Sequence, residues 1–322
     1  MARIDIFNGD ADGICALTQL HNAEPRESRL VTGVKRDIAL VAKADLKAGD
    51  QVTVLDISFD KNRDGVERAL EAGASVFYVD HHFAGEVPEH SELETIIDTD
   101  PNVCTSLLVN GYLGGAYVEW AVTGAFGDNL KDTARAIAAP LELSEAQLAL
   151  LDTLGTCINY NGYGASLEDL HFAPDELFGL VSPFPSPFTF VHEAPQTFEA
   201  LETGYRQDMA AAAAIEPAQE NDATSVVILP DEPWARRVSG VYGNELANRE
   251  PSRAHAVLTE RADGTYLVSV RAPLADKRGA DTLCRQFPTG GGRAAAAGIN
   301  ALPADQLGAF VTALEATYRE PT

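Results

Sequence analysis

The chain has 322 residues, 45% hydrophobic and 22% charged, with 24 Lys and Arg against 48 Asp and Glu. A net charge of −24 argues against a protein that grips long duplex DNA through its overall charge or docks on an anionic membrane surface, and leaves open a short anionic substrate held by local arginines or metal ions. The length exceeds the roughly 100–200 residues of one domain, so two core-bearing domains are expected.

Strand and helix patterns alternate through the first 130 residues. Arg3–Phe7, Arg29–Val34, Gln51–Asp56 and Ser75–Val79 read as strands, with helices at Gly13–His21 and Lys61–Ala72, the latter closed by Gly73. This alternation predicts a mainly parallel sheet with right-handed crossovers. Further helices are expected at Asn102–Leu113 and Ala116–Ala125, and at Ser144–Ile158 with Ser144 and Gln147 as a capping pair. Ser182–Phe190, a run of Ser, Pro and Phe, reads as a loop, and Glu199–Ile215 as a helix. A second α/β pattern follows: strands at Ser225–Leu229, His255–Thr259 and Tyr266–Arg271, then helices at Asp281–Phe287 and Ala304–Thr317, with a glycine turn at Gly290–Arg293 between them. The expected organisation is an N-terminal parallel-sheet α/β domain (1–135), a mainly helical connector (136–221) and a smaller mixed α/β domain (222–322), with the active site in the cleft. No run approaches ~18 apolar residues. The first residues lack the apolar stretch of a signal peptide, and Cys15, Cys104, Cys157 and Cys284 form no CxxC pair. A cytoplasmic protein with buried thiols is expected.

Acidic residues gather at the predicted strand ends. The first strand runs into Asn8-Gly9-Asp10-Ala11-Asp12-Gly13, another ends at Asp56, and a third runs into Asp80-His81-His82, with Asp128 following Gly127 later. Ligands of an open parallel sheet bind at the carboxyl ends of its strands, so these residues should converge. Carboxylates crowded together repel unless protonated or neutralised by a cation. Mixed carboxylate and imidazole donors suit Mn2+, Fe2+, Co2+ or Zn2+ better than Mg2+.

With these motifs the chain resembles the DHH phosphoesterase superfamily, which includes RecJ exonucleases, nanoRNases, cyclic-di-AMP phosphodiesterases and family II pyrophosphatases. Ser269-Val270-Arg271 and Gly290-Gly291-Gly292-Arg293 are similar to the SxR and GGGH elements of the DHH-associated substrate domain. The resemblance implies Mn2+-dependent hydrolysis, with Asp10, Asp12, Asp56, His81 and Asp128 as metal ligands and Asp56 as the bridge. It implies that Asp80 orients His81, that His82 faces the substrate phosphate as a hydrogen-bond or proton donor, and that Arg271, Gly290, Gly291, Gly292 and Arg293 hold substrate. Two positions depart from the pattern. Ile6 stands where many members place a metal-binding His, so one tight Mn2+ is expected and the second is in doubt, and Arg293 replaces the His of GGGH.

Residues 231–300 carry ten cations against eight acids, which suggests that an anionic substrate docks there. Asn159-Tyr160-Asn161-Gly162-Tyr163-Gly164 reads either as a base-contacting run or as a helix-ending loop, and Thr105-Ser106 either as phosphate contacts or as caps. His21, His90, His171, His192 and His255 are expected at the surface. The activity expected is a Mn2+-dependent phosphodiesterase for short oligonucleotides, dinucleotides or nucleoside bisphosphates. The alternatives are a pyrophosphate or polyphosphate hydrolase and a catalytically weak nucleotide-binding regulatory protein. A small phosphate substrate is the expected partner; long duplex DNA and membranes are not, and a homodimer stays open.

Overall fold

Five short runs rich in Val, Ile or Leu, two of them with Phe or Tyr, form the first sheet: β1 (Arg3–Phe7), β2 (Arg29–Val31), β3 (Gln51–Leu55), β4 (Ser75–Asp80) and β5 (Leu93–Ile97). All pair in parallel, in the order β2-β1-β3-β4-β5. The structure is a computed structural model that describes residues 2–319, in two units, Met1–Thr203 and Gly204–Thr322. In the first unit, α1 (Ala11–Ala23) connects β1 to β2 and α2 (Phe59–Glu71) connects β3 to β4. α2 turns Phe59, Val66, Ala69 and Leu70 onto Ile4, Val52, Val54, Val76 and Tyr78 of the sheet, the spacing of one helical face. It ends at Gly73, whose φ of +89° lies in the left-handed region that favours glycine.

After β5 the first unit is helical: α3 (Thr105–Tyr112), α4 (Val118–Gly127), α5 (Lys131–Ala138), α6 (Glu145–Asn161), α7 (Pro174–Val181), α8 (Pro187–Glu193) and α9 (Pro195–Ala213), within which the division between the units falls. The expected capping box forms, with Ser144 and Gln147 closing the start of α6. At the end of α4, a Cβ on Gly127 would lie 2.3 Å from Ala11 Cβ and 2.7 Å from the Gly155 carbonyl. Only glycine lets α4 close onto the starts of α1 and of the last turns of α6, and Asp128 follows as the next residue. Residues 136–203 lie in the first of the two compact units.

The second unit contains β6 (Gln219–Glu220), β7 (Thr224–Leu229), α10 (Pro233–Arg249), β8 (Ala254–Glu260), β9 (Thr265–Arg271), α11 (Ala280–Cys284), β10 (Gly290–Gly292), β11 (Ala296–Pro303) and α12 (Leu307–Tyr318). Its mixed sheet has the order β10-β11-β9-β8-β7-β6, with β7 and β8 parallel and the other pairs antiparallel. Val268, Val270, Ile299, Leu283 and Phe310 pack into its core.

Several elements differ from expectation. β5 and α10 were not expected, and the Ser/Pro/Phe run ends in α8. The glycine turn is the first strand of a hairpin, β10–β11, closed by reciprocal backbone bonds between Arg293 and Ala296. Three glycines show no side-chain alternation to mark a strand. The glycines are nonetheless required: a Cβ on Gly290 would lie 1.8 Å from the Cys284 carbonyl, and Gly292 has φ +139°.

Candidate metal centre

The turn after β1 makes Asp10 the N-cap of α1, its Oδ1 accepting from the Gly13 N–H at 3.1 Å. Asp12, in the first turn, is buried, and its two oxygens accept from the backbone N–H groups of Thr105 and Ser106, each at 2.7 Å. The positive end of α3 thus holds a carboxylate of the protein itself. This is a use of Thr105-Ser106 other than the two expected. Asp56 follows β3 in the left-handed region, φ +59°, a conformation that a non-glycine residue adopts at some cost. Its Oδ1 accepts from Thr105 Oγ1 at 3.1 Å.

His81 stands at the centre. Its Nδ1 lies 2.8 Å from the Val103 carbonyl. A carbonyl only accepts, so Nδ1 carries a proton and Nε2 is the ring's ligand atom. That Nε2 is 3.3 Å from Asp56 Oδ1, 3.9 Å from Asp12 Oδ2 and 4.0 Å from Asp128 Oδ2. Ligand atoms of Asp56, His81 and His82 also lie within 4.8 Å of one another. The expectation that Asp80 orients His81 is corrected here: Asp80 Oδ1 accepts from His82 Nδ1 at 2.7 Å, and the Val103 carbonyl holds His81. The side chain of Asp80 comes off the end of β4 within reach of the residue two further on. Its buried Oδ2 has no hydrogen-bond partner among the described residues. His82 is half-buried, its side chain 32% exposed.

Sequence reasoning passed over Lys35. Its Nζ donates to Asp10 Oδ2 and, at 2.8 Å, to Asn159 Oδ1. The signal was available: Lys35 follows β2, so the rule that gathers residues at the carboxyl ends of strands covers it as well.

Charge balance in the cluster is uneven. Burial pushes the Asp10 carboxyl up, but the Lys35 ammonium outweighs it and holds the group below the ordinary carboxylate range. Burial, with Asp10, Asp12 and Asp128 nearby, pushes Asp56 well above that range. Burial opposes the charge on Lys35, yet Asp10, Tyr163 and Asp128 hold its pKa above that of an ordinary lysine. A buried carboxylate driven toward its neutral form, beside an imidazole whose Nε2 faces three carboxylates, is the donor set of a divalent transition metal. The residues fit one: Asp12, Asp56, His81 and Asp128 would hold it.

The predicted substrate residues lie in the second unit. β9 pairs with β11 so that Arg271 is opposite Ala296, beside the hairpin that contains Gly290–Gly292 and leads into Arg293. Arg271 donates to Asn244 Oδ1 and to the Gly240 and Val270 carbonyls rather than to a carboxylate. Arg236, Arg237, Arg253, Arg278 and Arg285 are each paired with acids. Tyr160 is buried and Tyr163 nearly so, whereas Phe83, directly after His82, is 69% exposed. His90, His171 and His192 are at the surface; His255 is buried on β8, and His21 is largely buried against Asp5, because each ring finds a polar partner in the interior. All four cysteines are buried thiols outside any disulfide. Among the described residues no helix is long and apolar enough to cross a membrane.

No family model and no curated protein matches the chain. Solved structures do, over nearly all of it. A manganese-bound exonuclease RecJ is 17% identical, with 99% of this chain and 91% of that one covered and a TM-score of 0.59. RecJ from Thermus thermophilus in complex with Mn2+ is 18% identical over 98% of this chain, TM-score 0.63; the chain spans only about half of that protein, 52%. The pGpG-specific phosphodiesterase PggH from Vibrio cholerae is 14% identical, with 98% of this chain and 100% of that one covered and a TM-score of 0.56. In fold, this chain stands with RecJ and PggH.

Proposed function

We propose that the chain is a divalent-metal-dependent phosphodiesterase acting on short nucleotides, with Mn2+ as the metal. The observation that carries this reading is the convergence of Asp12, Asp56 and Asp128 on the Nε2 of His81, a buried donor set short of positive charge. A divalent metal at such a site lowers the pKa of water and polarises a phosphoryl oxygen. The protein's part is orientation and proton transfer. Val103 fixes the ring of His81, and the α3 amides fix Asp12. His82, backed by Asp80 at Nδ1, gives a proton from Nε2 to the leaving oxygen, and Asp80 stabilises the imidazolium before transfer.

The net charge of −24 supports a short substrate, because long single strands need a sustained positive groove. PggH is named for a dinucleotide, and pGpG is the first substrate to try here. With Tyr160 and Tyr163 buried, the aromatic exposed next to the site is Phe83, which we assign to stacking on a base. Arg271 and the Gly290–Arg293 hairpin are assigned to substrate phosphate.

The test is a panel of pGpG, pApA, short RNA, 3′,5′-adenosine bisphosphate, pyrophosphate and polyphosphate given to Mn2+-loaded protein, with Asp56→Ala as control. Mononucleotides released only by the unaltered chain are the expected result. Orthophosphate from pyrophosphate alone would replace the diesterase reading by a phosphoanhydride one. Tight nucleotide binding without turnover would make the chain a regulatory binding protein.

A further inference from the structure

Lys35 is held at every polar group it has. Its backbone N–H donates to the Gly162 carbonyl at 2.7 Å, and its own carbonyl accepts from Asn8 Nδ2 at 3.3 Å. Its ammonium donates to Asp10 Oδ2 and Asn159 Oδ1, stands 3.9 Å from Asp128 Oδ1, and lies 5.4 Å from the centroid of the Tyr163 ring. The Asn8–Asp10 turn and the end of α6 together form a cradle for one lysine, to which Asn159, Gly162 and Tyr163 contribute, while Tyr160 and Asn161 bond to His171 and Phe172. Gly162 is part of it, since a Cβ there would lie 3.2 Å from Asp10 Cα.

Both Asp10 oxygens already accept a hydrogen bond, Oδ1 from Gly13 and Oδ2 from the Lys35 ammonium, and the carboxyl also bonds to that of Asp56. Asp12, Asp56 and Asp128 instead group around His81 Nε2. A divalent ion beside Asp10 would compete with the ammonium for the same oxygen and meet it as a like charge.

We propose that Lys35 is the resident cation of this site, occupying the place beside Asp10 and limiting the chain to one divalent ion, held by Asp12, Asp56, His81 and Asp128. The inference rests on the metal-dependent reading above and narrows it: Asp10 leaves the ligand set and becomes the residue that positions Lys35. Of the three ammonium donors, Asp10 and Asn159 take two, and Asp128 Oδ1 lies 3.9 Å away.

The experiment counts Mn2+ with no substrate present. Metal-free protein is titrated with Mn2+ alone, the bound ion being quantified by elemental analysis and by electron paramagnetic resonance, which separates isolated from spin-coupled Mn2+. One isolated ion in the unaltered chain, a second ion in Lys35→Met, and a return to one in the double variant Asp10→Asn/Lys35→Met are expected. The double variant removes both charges of the pair together, so it folds even where Lys35→Met does not, and its Mn2+ affinity stays within about tenfold of the unaltered chain. Two ions in the unaltered chain, a count of one in folded Lys35→Met at saturating Mn2+, or loss of Mn2+ from the double variant would each overturn the inference while leaving the phosphodiesterase reading intact. An unaltered chain that takes up no Mn2+ overturns that reading, and the inference with it.

Discussion

Two groups of buried acids sit on the first sheet, and only one is complete within the protein. Asp5, in the middle of β1, receives Arg26 at 2.9 Å on Oδ1, with Ser28 at 2.5 Å and His21 at 2.7 Å on Oδ2. Burial pushes its carboxyl up, but His21, Arg26 and Ser28 together hold it below the ordinary range. Five residues along the same strand and turn, Asp10 begins a cluster that also contains Asp12, Asp56 and Asp128, with Lys35 as its ammonium. There Asp56 is driven the other way. Buried acids alone do not mark a metal site. An acid whose neighbours fail to neutralise it is the better candidate.

Substitutions should separate the two groups. Asp56→Ala is expected to lower turnover by about 10³-fold or more, the several kcal/mol that a metal supplies at a phosphoryl centre, and to abolish Mn2+ uptake while the metal-free chain melts no lower than the unaltered one. Assay and calorimetry on one preparation check both. Asp5→Ala should do the reverse, costing about 3 kcal/mol of stability by leaving Arg26 buried without its partner, with Mn2+ stoichiometry unchanged; urea unfolding reads the loss.

The pH dependence of the metal-free chain should also split them. Asp5 has a lowered folded pKa, so its contribution is full above the unfolded carboxylate value of about 3.9 and is lost as pH falls through the folded value. Asp56 has a raised folded pKa and favours the folded state while it holds a proton that the unfolded chain has released. Its contribution is therefore full below the unfolded value and lost as pH rises through the folded one. Melting from pH 3 to 8, with Asp5→Asn and Asp56→Asn as references, resolves the two limbs, and Mn2+ should remove the upper one.

Smaller effects concern substrate. His82→Ala should lower turnover by about 10²-fold, the lower end for a general acid, and leave bound Mn2+ unchanged. Phe83→Ala should raise KM for a dinucleotide by about tenfold, one stacked base, and leave hydrolysis of pyrophosphate, where any occurs, unaffected.

Much of this site was legible in the sequence because strand ends are. Asp10, Asp12, Asp56, Asp80 and His81 sit within a few residues of three apolar runs, and the carboxyl-end rule needs no more than that. The partners were not legible. That Asp80 meets His82 rather than His81 depends on ring orientation at the end of β4, and that α3 amides hold Asp12 depends on a contact 93 residues away in sequence. Lys35 was missed although the strand expected over Arg29–Val34 ends directly before it, because strand ends were read for acids and histidines, the metal-ligand types, and lysine is not one. α10 reads poorly because Pro, Gly and paired arginines interrupt its apolar spacing, and the β10–β11 hairpin because glycine shows no pattern at all.

The grip of α3 on Asp12 also makes this protein its own gauge. The amide protons of Thr105 and Ser106 point at the carboxylate proposed above as a ligand of the metal beside His81. Their chemical shifts and solvent-exchange rates therefore follow that carboxylate's electron density. In a spectrum of 15N-labelled protein titrated with diamagnetic Zn2+ or Mg2+, those two resonances should move first, reporting occupancy from the far side of the ligand without a dye, a substrate or a tag.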